Sequence, residues 1–218
     1  MGKKDTITAN DIISCYMEYV LENEQPPKSV FSFAKHHDFN EAEFYKYFAS
    51  FEVLEKSIFK AFFDNTHAVL EKSEEYETFD SRNKLLTFYY TFFENLTANR
   101  SYVVYALGSA KDRLKSLKSL SELRKSFLGY IETLQIETID LKNERFEKIQ
   151  DKGIKETAWF QLMLTLKFWL DDTSPSFEKT DVFIEKSINT GFDIIDTAPI
   201  KSIIDLGKFI YKEKIHMN

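Results

Sequence analysis

The sequence predicts an all-α protein. Apolar residues recur at i, i+3 and i+4 along almost the whole chain, the spacing of a helix face packed on a core. No stretch alternates with the period of two that a half-buried strand requires. Breakers are scarce: the 218 residues include 21 Phe but only 6 Gly and 4 Pro. A chain of this length holds one large helical domain, or a small one joined to a larger.

The elements follow in order. Thr8 is placed to cap a first helix that carries Ile12, Ile13, Tyr16, Met17, Val20 and Leu21 on one broad face. Gln25-Pro26-Pro27 ends that helix, because proline lacks the N–H that would continue the ladder and restricts the residue before it. Residues 29–48 read as two short helices joined by a tight turn. Val30, Phe33 and Ala34 form one apolar face, Phe39 plugs the turn, and Asn40 caps a second helix whose inner face is Phe44 and Phe48. This is a helix-turn-helix, the unit that places a helix in the DNA major groove.

Phe51 to about Lys72 predicts a longer fourth helix, with Val53, Leu54, Ile58, Phe59, Phe62 and Phe63 inward. Ser73–Asp80 reads as a polar, acidic break. Leu85, Leu86, Phe88, Tyr89, Phe92, Phe93 and Leu96 define the next helix, and Tyr102–Leu107 a short apolar piece. Lys111–Ile139 is amphipathic, Lys142–Lys152 reads as a helix end and loop closed by Gly153, and Thr157–Leu170 is strongly apolar. Asp171-Asp172-Thr173-Ser174-Pro175 is a turn. Phe177–Ile195 is another helix, and Pro199 starts a last amphipathic segment to about Ile215.

Several functions are disfavoured. The single cysteine, Cys15, allows no intrachain disulfide and sits among apolar residues as a small buried hydrophobe; this fits a cytoplasmic protein. Neither a signal-peptide core nor an apolar run of about 18 residues is present. No serine or cysteine has a base at recognisable spacing and no glycine-rich loop cradles phosphate, so catalysis has no foothold. His36 and His37 lack partners at ligand spacing, so neither a metal site nor a cofactor is expected.

The N-terminal pattern resembles the tetracycline-repressor family over about residues 10–60. Ser29-Val30, Phe33-Ala34, Asn40, Tyr45-Lys46-Tyr47-Phe48 and Glu52-Val53-Leu54 fall at that family's motif positions. The resemblance implies a helix-turn-helix domain over residues 1–50 and a helical ligand-binding and dimerisation domain over 51–218. It implies a homodimer joined through helices near 157–170 and 177–195. It also implies operator DNA at successive major grooves and a small-molecule effector whose binding releases the DNA. The DNA-facing set would be Lys28, Lys35, His36, Glu41, Ala42, Glu43, Tyr45, Lys46 and Tyr47. A pocket lined by Phe88, Tyr89, Phe92, Tyr105, Phe127, Tyr130 and Phe160 would take a hydrophobic or lipid-like molecule.

The chain departs from the family pattern in physically meaningful ways. Asp38 stands where the family has a turn glycine, Glu41, Ala42 and Glu43 open the recognition helix, and Phe51 replaces a phosphate-contacting lysine. Residues 1–50 hold five Lys and no Arg against eight Asp and Glu, and the whole chain carries a net charge of −6. Phosphates repel carboxylates, although a Glu can accept from cytosine N4. The charge therefore points to an alternative: a protein of the same fold that binds a lipid or protein partner and has lost DNA. Two further segments bear on it. Residues 111–125 hold six basic and two acidic residues, read as a solvated helix face or as an electropositive patch. Residues 199–215 could dock on their own domain, on a partner subunit or peripherally on a membrane.

Overall fold

Short polar side chains that accept from backbone N–H groups set where the first helices begin. The computed structural model describes residues 7–108, 117–136 and 144–195. Its helices are α1 (Ala9–Asn23), α2 (Val30–His36), α3 (Glu41–Tyr47), α4 (Phe51–Leu70), α5 (Glu74–Thr78), α6 (Ser81–Ala98), α7 (Arg100–Leu107), α8 (Ser121–Thr133), α9 (Glu144–Asp171) and α10 (Glu178–Ile195). A 3₁₀ turn at Pro175–Phe177 precedes α10. Among the described residues there is no strand, so the protein is all-α. The C-terminal segment 199–215 and the start of the basic segment, 111–116, lie outside the described residues.

Two compact units divide the chain: Met1–Ser73 with Thr91–Phe127, and Glu74–Tyr90 with Leu128–Asn218. The division falls inside α6 and α8.

In the first unit, Thr8 and Asp11 form a reciprocal capping box: Asp11 N–H donates to Thr8 Oγ1 at 3.2 Å and Thr8 N–H to Asp11 Oδ2 at 2.8 Å. Ser29, Asn40 and Ser50 cap α2, α3 and α4 one way only, each side chain accepting from the backbone N–H of Ser32, Ala42 and Val53 respectively. α2 ends at its C-cap His37, and Asp38 follows at φ 55°, the left-handed conformation most often given to glycine. Phe39 N–H then reaches back to the Ala34 carbonyl at 3.0 Å, and the Phe39 ring packs 5.6 Å from Phe33. Phe33 and Phe44 are fully buried, with Ile12, Tyr16, Val20 and Leu54 around them. At about 1.5–3 kcal/mol for each large apolar side chain withdrawn from water, these few residues hold the helix-turn-helix together. α1 packs on α3, α4 and α7, and Asn95 of α6 donates to the Phe62 carbonyl of α4 at 3.1 Å.

In the second unit α9 and α10 pack together. Leu162, Leu166, Trp169, Ile184 and Ile188 are buried there, with Phe88, Tyr89 and Tyr130 from α6 and α8. The joint between α9 and α10 is tied by Asp172. Its Oδ1 accepts from the N–H and hydroxyl of Ser174 at 2.8 and 2.7 Å, and its Oδ2 accepts from those of Thr180 at 3.0 and 2.7 Å.

Two elements differ from the sequence expectation. The acidic stretch 73–80 is not simply a break: α5 forms there because Tyr76 is buried and its hydroxyl lies 2.7 Å from that of Tyr130. Gly153 does not close a loop, since α9 runs unbroken from Glu144 to Asp171. A helical glycine costs about 1 kcal/mol relative to alanine. Neighbouring tertiary contacts, such as Lys155 Nζ to Glu132 Oε2 at 2.8 Å, help hold that part of the helix in place.

Candidate functional site

The helix-turn-helix has a sharply defined inside and outside. Phe44 and Phe48 point into the first unit, and their burial turns the opposite face of α3 to solvent. Lys28, Lys35, His36, Ala42, Tyr45, Lys46 and Tyr47 are exposed, and Glu41 and Glu43 are half-buried. The structure thus gathers all nine residues around one motif. Two of them pair with neighbours on the same helix: Lys46 Nζ with Glu43 Oε1 at 2.6 Å, and the Tyr45 hydroxyl with Glu41 Oε1, to which it donates at 3.4 Å. Tyr47 donates to the Ile7 carbonyl at 3.2 Å, tying Ile7 to α3. The second oxygen of Glu43 is buried and has no hydrogen-bond partner among the described residues.

His36 and His37 stand edge to face at 4.9 Å, with Tyr19 of α1 5.5 Å from His36. Burial, aided by the neighbouring His36, lowers the His37 pKa, with Glu18 and Glu22 acting the other way. Among the described residues no group of three or more His, Cys, Asp or Glu is arranged to hold a metal ion. No helix there is long and apolar enough to cross a membrane.

The second unit contains an apolar groove of about 410 Å³. Two stripes at i, i+4 spacing line it: Gly153, Thr157 and Gln161 on α9, and Ser187, Gly191 and Ile195 on α10. Ile154, Ala158, Ile188, Phe192 and Ile194 fill the flanks, with Leu85, Ile136 and Gln150 at the edges. A Cβ added at Gly153 or Gly191 meets nothing within 4 Å, so these glycines border open space. Gln161 closes one end: it accepts from the Tyr89 hydroxyl and donates to Ser187 Oγ at 2.9 Å. Arg82 braces the wall, pairing with Asp193 at 2.7 Å and lying 5.4 Å over the Phe192 ring.

None of the seven pocket residues expected from sequence borders this groove. Phe88, Tyr89 and Tyr130 are buried in the second unit, where Phe88 stacks on Tyr130 at 4.7 Å. Phe92, Phe127 and the half-buried Tyr105 belong to the first. Phe160 is 67% exposed on α9. It begins an outward apolar stripe, Phe160, Leu164 and Phe168, that continues onto Val182 of α10. Phe168 stacks flat on Phe183 at 4.6 Å. Sequence reasoning missed the groove, although small residues four apart on two successive helices were its visible trace. The described part of the basic segment turns Lys118 and Lys125 outward and buries Leu120 and Leu123.

A family model described as "Tetracyclin repressor-like, C-terminal domain" matches residues 84–210, more than half of the chain. The chain belongs to the tetracycline-repressor family. Among curated proteins none matches it. The match begins within α6 and runs beyond the end of α10. It lies apart from the N-terminal helix-turn-helix pattern of residues 29–54.

Proposed function

We propose that this chain is a ligand-responsive transcriptional regulator that binds operator DNA as a homodimer and answers to a hydrophobic effector. The observation carrying this reading is the helix-turn-helix: a capped α3 with Phe44 inward and Ala42, Tyr45 and Lys46 outward. Helix-turn-helix units of this kind place their second helix in the DNA major groove. In this reading the exposed Lys28 and Lys35 meet phosphates beside it. The exposed stripe of Phe160, Leu164, Phe168 and Val182 supports a self-complementary interface, because a water-facing apolar face of this extent is normally covered. The α9–α10 groove supports an apolar effector, since its lining is mostly hydrocarbon with a few amides and hydroxyls.

The bond from Lys46 to Glu43 favours a second reading, in which the same fold binds a lipid or protein partner and no longer reads DNA. One experiment separates the two. Purified protein is titrated against its own upstream DNA and against scrambled DNA over a salt series. A regulator prefers the upstream fragment and loses affinity with salt at about −0.9 log units per phosphate contact. Equal, weak binding to both fragments, with lipid co-purifying, would establish the second reading instead.

A further inference from the structure

We propose that the groove between α9 and α10 binds an uncharged single-chain molecule, a hydrocarbon tail ending in a hydrogen-bond donor, the class of the long-chain alcohols. The tail lies along the glycine-lined floor and the hydroxyl meets Gln161 and Ser187. As the identity of an effector this rests on the regulator reading; the binding itself does not.

Charge selects first. None of the described lining residues is ionisable. Two cations of the same unit are held by carboxylates: Arg82 pairs with Asp193 at 2.7 Å and Lys155 with Glu132 at 2.8 Å. A carboxylate or ammonium head group would find no counter-ion on these walls. An unpaired charge taken out of water costs far more than a neutral polar group.

Hydrogen bonding selects next. Gln161 stands at one end of the α9 stripe and bonds to Ser187 of α10. Both N–H groups of its amide are engaged, with Thr165 Oγ1 at 3.1 Å and Ser187 Oγ at 2.9 Å. Its Oε1 accepts from the Tyr89 hydroxyl and has a second lone pair. The Ser187 proton goes to the Ile184 carbonyl at 3.3 Å, which leaves that oxygen an acceptor as well. This end of the groove therefore offers acceptors and no donor, and its complement is an O–H. An ester or ether head, which only accepts, is not satisfied there. Thr157, one turn along α9, has a hydroxyl that serves either way and does not discriminate.

Shape selects last. The lining of α9 runs from Gln150 to Gln161, about 16 Å at 1.5 Å per residue. Carbon–carbon bonds of about 1.5 Å advance an extended chain by ~1.3 Å per carbon, so about twelve carbons fill that length. Gly153 and Gly191 leave open space where a side chain would stand, so a narrow chain seats close to the backbone.

The test titrates the full chain by calorimetry with 1-octanol, 1-decanol and 1-dodecanol, and with decanoate, decylammonium and methyl decanoate for comparison. Affinity for the alcohols should rise with chain length, by up to about fourfold per methylene, the gain of full burial. 1-Decanol should bind at least tenfold tighter than decanoate or decylammonium, and several-fold tighter than methyl decanoate. Gly191→Leu and, separately, Gly153→Leu put hydrocarbon into the open floor. Each should cut decanol affinity at least tenfold and keep the wild-type circular dichroism, because leucine is the better helix former and its Cβ meets nothing within 4 Å. Ser187→Ala leaves one Gln161 N–H without its acceptor, so the alcohol's advantage over methyl decanoate should shrink or reverse.

The proposal is overturned by equal affinities for the alcohol, the carboxylate and the ammonium, by no gain with chain length, or by glycine variants that bind decanol as the wild type does. It is equally overturned if no alcohol binds, or if affinity falls as protein concentration rises, the sign that a second copy covers the groove. No readout involves DNA. Failure here leaves a regulator with a different effector, and failure to bind operator DNA leaves the alcohol site standing.

Discussion

The hydroxyl of Tyr16 on α1 donates to Glu55 Oε1 on α4 at 2.7 Å, with Tyr16 only 1% exposed. Burial, reinforced by the Glu55 hydrogen bond, holds the Tyr16 hydroxyl far above the usual phenol range, so it stays a donor at every accessible pH. Its ring also stacks on Phe51 at 5.5 Å and meets Phe33 edge-on at 6.1 Å. One side chain thereby joins α1, α2 and α4. Tyr16→Phe keeps the ring and loses only the hydrogen bond to a carboxylate, which should cost about 1.5–3 kcal/mol. Urea unfolding followed by circular dichroism measures it. No change in midpoint would mean the bond contributes nothing to stability.

Asp172 predicts a pH response. Burial alone opposes its ionisation, but the hydrogen bonds from Ser174 and Thr180 outweigh burial and hold its carboxyl at about 2. The folded pKa lies below the unfolded value of roughly 3.9. Its contribution to stability is therefore complete above about pH 4 and is lost as pH falls toward about 2. Thermal unfolding of the wild type should weaken through that window, and Asp172→Asn should flatten the decline while lowering stability at neutral pH.

Lys46 Nζ is paired with Glu43 Oε1 at 2.6 Å. In the regulator reading, Glu43→Gln frees that lysine and removes a repelling carboxylate. The variant should bind DNA more tightly at low salt, and the log–log salt slope should steepen by about one per released contact. Fluorescence anisotropy reads both quantities. Lys46→Ala should move them the other way.

The exposed apolar stripe predicts self-association. Phe160→Asp places a charge on the residue that is 67% exposed in the single chain. It should weaken dimerisation at least tenfold while leaving helicity unchanged, because no core side chain is removed. Sedimentation equilibrium settles the matter; an unaltered association constant would exclude this face.

What was legible in the sequence was what neighbouring residues dictate to one another. Thr8, Asn40 and the Pro26-Pro27 pair mark helix ends through bonds reaching no further than a few residues. Asp38 was readable as the turn residue because few side chains other than glycine tolerate positive φ. Most of the inward faces of α1 to α4 followed from spacing, since an amphipathic helix has only one side to bury, but Leu21 and Val53, expected on those faces, are 41% and 39% exposed. The family, too, was readable from residues 29–54, whose pattern is local.

Only the tertiary structure decided the rest. That α9 passes through Gly153 depends on what packs beside it, because a glycine's cost of about 1 kcal/mol is easily outweighed by neighbours. Phe127 and Phe160 are the same residue type at the same helical period, yet one is fully buried and the other faces water. Composition carries no record of which second helix arrives. The groove is the clearest instance: it is a gap between two surfaces, and each surface alone reads as an ordinary run of small and aliphatic residues. Local chemistry chose the helices of this protein, while the empty space between them was set by how those helices met.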